Sequence, residues 1–180
     1  MNSRRLTTVM LIFSILVLLV ATVSADIVFS NFPDNGVYGG WCSQVALGFR
    51  IPEEDDYRLN SVQISLRHIL DDSVTLQLFS DRNGLPNQAL QTIDTRQVNK
   101  DNAYTFDANS GIRLNAGETY WLYIDASACN VTWDDIGESN PSGQFSIVGY
   151  MRYTNEWVDA SDDGRLMLAV MIDAVVAGGS

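Results

Sequence analysis

Two tryptophans stand where an aromatic ring could act together with polar groups. Trp133 is followed by Asp134 and Asp135, and Trp157 lies between Asn155 and Asp159. An indole at the border of a loop offers a flat apolar face for stacking on a pyranose ring, and nearby amides and carboxylates can bond the sugar hydroxyls. These six residues are the candidate ligand-binding positions, although a tryptophan so placed more often packs than binds. Trp41 and Trp121 fall inside strand-like segments and are read as core.

Catalytic chemistry is poorly supplied. A serine–histidine pair would have to use His68, the one histidine, and no Gly-x-Ser-x-Gly elbow accompanies it. A zinc site needs clustered His or Cys ligands, which one His and two separated Cys do not provide. Glycine-rich phosphate loops are absent. Twenty-two acidic residues must include some pair near the ~5–9 Å of a carboxylate-pair glycosidase, yet nothing singles one out. No catalytic residue is assigned, and the expectation is a protein that is not an enzyme.

Metal and covalent features are equally sparse. Asp81-Arg82-Asn83-Gly84 resembles the opening of a calcium loop, but the later acidic ligand of an EF-hand is missing, so a turn is preferred. The run Glu53-Glu54-Asp55-Asp56 is read as solvated surface, with calcium as its alternative. No cofactor is called for, and calcium is the one ion the acidic chain would favour. Cys42 and Cys129 could pair in an oxidising compartment, closing a loop whose entropy is worth up to about 4–5 kcal/mol. Two buried thiols are the other option, and spacing does not separate them. Asn130-Val131-Thr132 is a formal glycosylation motif.

The first 25 residues read as an address. Arg4 and Arg5 precede the apolar stretch Val9 to Val23, and Val23-Ser24-Ala25 suits a signal peptidase cutting before Asp26. The apolar stretch is about 15 residues where a membrane span needs roughly 20, so an uncleaved anchor is the weaker reading. Residues 26–180 then form one domain, with nine basic residues against 22 acidic ones and a net charge of −13. Such a surface repels nucleic acid and anionic membranes, and both are excluded as partners. Secretion to the extracellular space or periplasm is expected, with no membrane span left after cleavage.

The elements that must position these residues are strands. In Thr119 to Asp125, Tyr120, Leu122 and Ile124 share one parity, and Trp121, Tyr123 and Asp125 share the other. The apolar face of this strand must be covered by a second layer. Val45, Leu47 and Phe49 make one further apolar face, and Val62, Ile64 and Leu66 another. So do Val74, Leu76 and Leu78. Leu90–Val98, Ala103–Ala108 and Ile112–Leu114 are weaker, while Phe145 to Tyr153 and Arg165 to Ala174 are firmer, the last apolar on both faces. Nine or ten short strands with turns between them predict an all-β, antiparallel β-sandwich, with the jelly roll as its form.

Three segments carry a family resemblance: Leu59-Asn60-Ser61-Val62-Gln63-Ile64-Ser65-Leu66, then Val74 to Pro86, then Leu114-Asn115-Ala116-Gly117-Glu118-Thr119-Tyr120-Trp121-Leu122. In order and spacing this resembles the bacterial exported "choice-of-anchor" domains, most closely type R. The resemblance covers most of 26–180 and implies a β-sandwich module of unassigned biochemical role, with a surface-sorting tail. Its motifs are strand faces and turns, so it brings no catalytic residue. The chain closes on Val176-Ala177-Gly178-Gly179-Ser180, which lacks a sorting motif, and release is expected rather than attachment. The functional expectation is binding of a glycan or surface polymer. A structural or adhesive role through sheet edges stands second, and a glycosidase is remote.

Overall fold

The computed structural model describes residues 26–30, 44–68, 72–125, 131–133, 142–159 and 169–178. The signal segment, Trp41, Cys42, Cys129, Asn130, Asp134 and Asp135 lie outside the described residues. The described residues form twelve strands and no helix: β1 Asp26–Ser30, β2 Gln44–Arg50, β3 Tyr57–His68, β4 Asp72–Arg82, β5 Leu85–Val98, β6 Asn102–Leu114, β7 Thr119–Asp125, β8 Val131–Trp133, β9 Ser142–Gly143, β10 Ser146–Tyr153, β11 Trp157–Asp159 and β12 Val170–Val176.

All described pairings are antiparallel and make two sheets packed face to face. Sheet A runs β6-β3-β12-β1-β9, with β8 pairing the end of β3, and sheet B runs β11-β10-β2-β7-β4-β5. With the excursion β8 to β11 set aside, β6-β3-β12-β1 faces β5-β4-β7-β2. Successive strands change sheet except at the β4–β5 hairpin. That is the winding of a jelly roll. The excursion adds β9 beside β1 and the pair β10–β11 beside β2, widening both sheets on the same side.

Parity builds the core. Leu47 and Phe49 of β2, Leu122 and Ile124 of β7, and Leu76 and Leu78 of β4 point inward from sheet B. They meet Leu59, Val62 and Ile64 of β3, Phe106 and Leu114 of β6, and Ile172 and Ala174 of β12. The β12 strand lies between β3 and β1, a central place in sheet A. Its outward Met171 and Asp173 are half-buried rather than exposed.

Two strands run longer than their sequence suggests. β5 starts at Leu85, but Asn87 to Thr92 are exposed on both parities, so no alternation announces it. β6 is one strand from Asn102 to Leu114, and the two segments seen in sequence are joined across a bulge opposite Leu59 and Ser61. At Gly111 the backbone turns through φ +60°, and a Cβ there would come 2.7 Å from Arg58 Cδ. The Asn83–Gly84 turn forms as expected, with φ 57° and 78°, the two positive values of a tight type I′ hairpin.

The acid run at 53–56 is only partly free surface. Glu53 pairs with Arg50 at 2.6 Å. Asp56 accepts the Ala116 N–H at 2.8 Å and a bond from Arg113, and its carbonyl accepts the Ala177 N–H at 2.8 Å. One side chain thus clamps the β6–β7 turn to the linker that leads into β3. The Ala116 N–H and then the Arg113 guanidinium hold the Asp56 carboxyl below its ordinary 3.8. A carboxyl whose folded pKa is depressed contributes stability above its unfolded value and loses it as pH falls through the folded value. Asp56→Asn is therefore expected to lower Tm at pH 7, with the gap to wild type closing as both are acidified below pH ~4. A pH series of thermal melts checks this, and parallel curves would contradict it.

Candidate functional site

The outward face of sheet B carries an aromatic layer of its own. Trp121, Ala46 and Met151 form a second buried cluster, separate from the inter-sheet core, with Phe79, Tyr123 and Trp157 packed against it. Trp121 is fully buried on this outer side. Its place inside a strand reads as core, and it is buried, in this outer cluster rather than between the two sheets. Gly48 makes that burial achievable. A Cβ at Gly48 would stand 2.7 Å from the Trp121 ring and 2.7 Å from Val148 Cγ2. Gly149 is its cross-strand partner and also lies beneath the indole. Asp81 Oδ1 accepts the indole N–H at 2.8 Å, and Oδ2 accepts the Gly84 N–H at 3.2 Å.

Strand register arranges the rest in rows. One row runs Trp157, Tyr153, Gln44, Asp125 across β11, β10, β2 and β7, each a direct partner of the next. At about 4.8 Å between strands the row is about 14 Å long. It places two aromatic rings beside an amide and a carboxylate on one surface. Gln44 donates its side-chain N–H to Asp125 at 2.8 Å, which fixes both groups. The next row holds Asp159, Met151, Ala46, Tyr123 and Gln77.

The rings support one another. Trp157 meets Tyr153 at 5.4 Å and Tyr123 at 5.9 Å, both edge to face, and Tyr123 meets Phe79 at 4.8 Å. Tyr153 is 41% exposed and Trp157 is half-buried, so the platform is held from below and open above. Burial, then the Asp125 carboxylate and Tyr153, push the Tyr123 phenol up to about 12. It is therefore a neutral phenol at physiological pH.

Of the residues expected from sequence, Asn155, Trp157 and Asp159 come together at this edge. Asn155 is exposed in the β10–β11 turn with φ 97°, Trp157 is the inner wall, and Asp159 points outward opposite Met151. The backbone of Trp133 pairs with Leu66 in sheet A, whereas that of Trp157 pairs with Tyr153 in sheet B. Asp81 lies on the sheet B face, with each carboxylate oxygen already accepting a hydrogen bond, and Asn83 forms the hairpin turn. Among the described residues no group of three or more His, Cys, Asp and Glu side chains is disposed to hold a metal ion. The backbone of His68 pairs with Val131.

No protein-family model matches the chain, and no curated protein matches it. Its fold resembles solved structures. One is that of the cysteine protease and lectin-like domains of Cwp84, a surface-layer associated protein of Clostridium difficile, with TM-score 0.58 and 13% identity. Another is the clostridial cysteine protease Cwp84 after propeptide cleavage, with TM-score 0.62 and 12% identity. The first match covers 75% of this chain and 32% of that one, the second 83% and 40%. The chain thus spans a third to two fifths of their length. At such identity the likeness is one of fold.

Sequence reasoning missed Tyr153, Tyr123, Gln44 and Asp125 as parts of one surface. A signal was present for two of them: Tyr123 and Asp125 share the outward parity of the central strand with Trp121. Tyr153 and Trp157 flank a short turn, the spacing that makes them cross-strand partners.

Proposed function

We propose that this chain is an exported, non-enzymatic β-sandwich module that binds a glycan or surface polymer on the outer face of sheet B. The observation that carries the reading is the row Trp157–Tyr153–Gln44–Asp125, in which two buttressed rings lie in line with an oriented amide and carboxylate. Stacking on a sugar face needs rigid rings, and hydroxyl recognition needs fixed acceptors and donors at the same height. Cwp84 carries a lectin-like domain beside its cysteine protease, and likeness to a chain with such a domain supports the reading. Its surface-layer association favours an extracellular setting for this chain too. Membership of the choice-of-anchor group, type R, belongs to the same proposal, and the jelly-roll sandwich is of the kind that resemblance implies.

An adhesive role would call for a continuous apolar patch. The large exposed apolar residues among the described ones, Ile27, Leu85, Leu90, Val148, Tyr153, Val158 and Val176, are spread over β1, β5, β10, β11 and β12 in both sheets, which favours the sugar-binding reading. The test is a panel of neutral, amino and acidic polysaccharides presented to residues 26–180. A hit that Trp157→Ala abolishes supports the proposal. Silence across the panel from a folded sample, or a hit indifferent to Trp157, overturns it.

A further inference from the structure

A second polar recess lies on the opposite face of the molecule. Tyr57, Leu59, Ile112 and Leu114 are buried in the core, so Arg58 and Arg113 between them point outward from sheet A. The two arginines are direct cross-strand partners on β3 and β6. Like charges placed directly opposite each other disfavour the sheet, and the rest of this chain is strongly acidic. The pair lines a cavity of about 580 Å³ together with Glu54, Asp55, Asp56, Gly111 and Gly178. That volume is in the range of small-ligand sites.

The two guanidiniums differ in what they touch. Arg113 is engaged by Asp56, the residue that also holds the β6–β7 turn. Arg58 is exposed, and among the described residues its side chain has no hydrogen-bond or ion-pair partner. Its stem runs against Gly111, where any side chain would collide with it. Arg58 therefore presents a planar fork into the cavity, the geometry that takes a carboxylate through two parallel bonds. Glu54 and Asp55 line the same space and supply acceptors suited to hydroxyl groups. Together these ask for a ligand with a carboxylate at one end and hydroxyls at the other.

We propose that this recess is a second binding site, for a carboxylated sugar residue of the uronate type, with Arg58, the guanidinium that Asp56 does not engage, as the carboxylate receptor. The site stands on sheet A and does not depend on the sheet B platform. The test is titration of D-galacturonate, its methyl ester and D-galactose into ¹⁵N-labelled protein, wild type and variants. Galacturonate is expected to shift the amides of Gly111 and Gly178. The methyl ester and galactose should bind at least ten-fold more weakly, and added salt should weaken galacturonate alone. Arg58→Gln should cost at least ten-fold in galacturonate affinity, and Arg58→Lys should fall between, since it keeps the charge and loses the fork. Trp157→Ala should change nothing at this site. Relief of the arginine pair should leave the Tm of Arg58→Gln equal to or above wild type. Absence of shifts at Gly111 and Gly178, equal binding of acid and ester, undiminished affinity in Arg58→Gln, or a lowered Tm for that variant would each overturn the proposal.

Discussion

Trp121→Ala is expected to lower the stability of the domain by about 3–5 kcal/mol, the usual cost of emptying a large buried aromatic site. For a domain of this size that is a fall in Tm of about 6–20 °C. The ring is fully buried, and it bridges β7 to β2 and β10 by lying over Gly48 and Gly149. Its removal opens a void that backbone at two glycines cannot fill, and it strips Asp81 Oδ1 of its donor. Trp121→Phe keeps most of the packing and loses the N–H, so a smaller cost of about 1.5–3 kcal/mol is expected, set by the bond to a charged acceptor. Urea unfolding of the three proteins measures both steps. A loss below about 1 kcal/mol for Trp121→Ala, within the range of ordinary surface changes, would mean that the outer layer is not a true second core.

The second large effect concerns binding. Trp157→Ala removes the ring that joins Tyr153 to Tyr123, and a central aromatic anchor of this kind is worth about 2 kcal/mol or more, about thirty-fold in Kd. Its cost in stability should be well below that of Trp121→Ala, because Trp157 lies on the short edge strand β11 and is only half-buried. Trp157→Phe should recover part of the affinity, since a smaller ring still stacks. Isothermal titration against the polysaccharide that scores in the panel, paired with thermal melts, separates the two contributions. Loss of affinity in step with loss of Tm would point to a structural ring.

Much of the fold is legible in the chain because burial in a sandwich is a matter of parity. The alternations Val45-x-Leu47-x-Phe49 and Tyr120-x-Leu122-x-Ile124 each reveal which side is covered, and the structure buries those sides. The doubly apolar last strand likewise announces a central place, which β12 occupies. Parity does not say which strand lies next to which. The pairing of β2 with β7 brings Gly48 under Trp121, and no local pattern links these two residues. Trp121 accordingly reads as ordinary core until its neighbours across the sheet are known.

The same limit applies to the site. Trp157, Asn155 and Asp159 are visible as a loop-border group because they are adjacent in sequence. Gln44 and Asp125 join them only through the register of β10 on β2 and β2 on β7. Trp133, equally promising beside its acids, is carried to sheet A by the pairing of β8 with β3. The acidic run at 53–56 hides a clamp for a related reason. Asp56 finds its partners at Arg113 on β6 and Ala116 just after it, with β3, β4 and β5 in between.

The most direct measurement is a map of amide shifts on adding the panel's strongest neutral polysaccharide fragment, which carries no carboxylate for the Arg58 recess, to ¹⁵N-labelled 26–180. The expected result is a contiguous set of shifts at Gln44, Tyr123, Asp125, Tyr153 and Trp157, including the Trp157 indole N–H, with the outer face of sheet A unmoved. Shifts confined to sheet A or to the hairpin β4–β5, with the sheet B platform silent, would contradict the assignment of binding to this face.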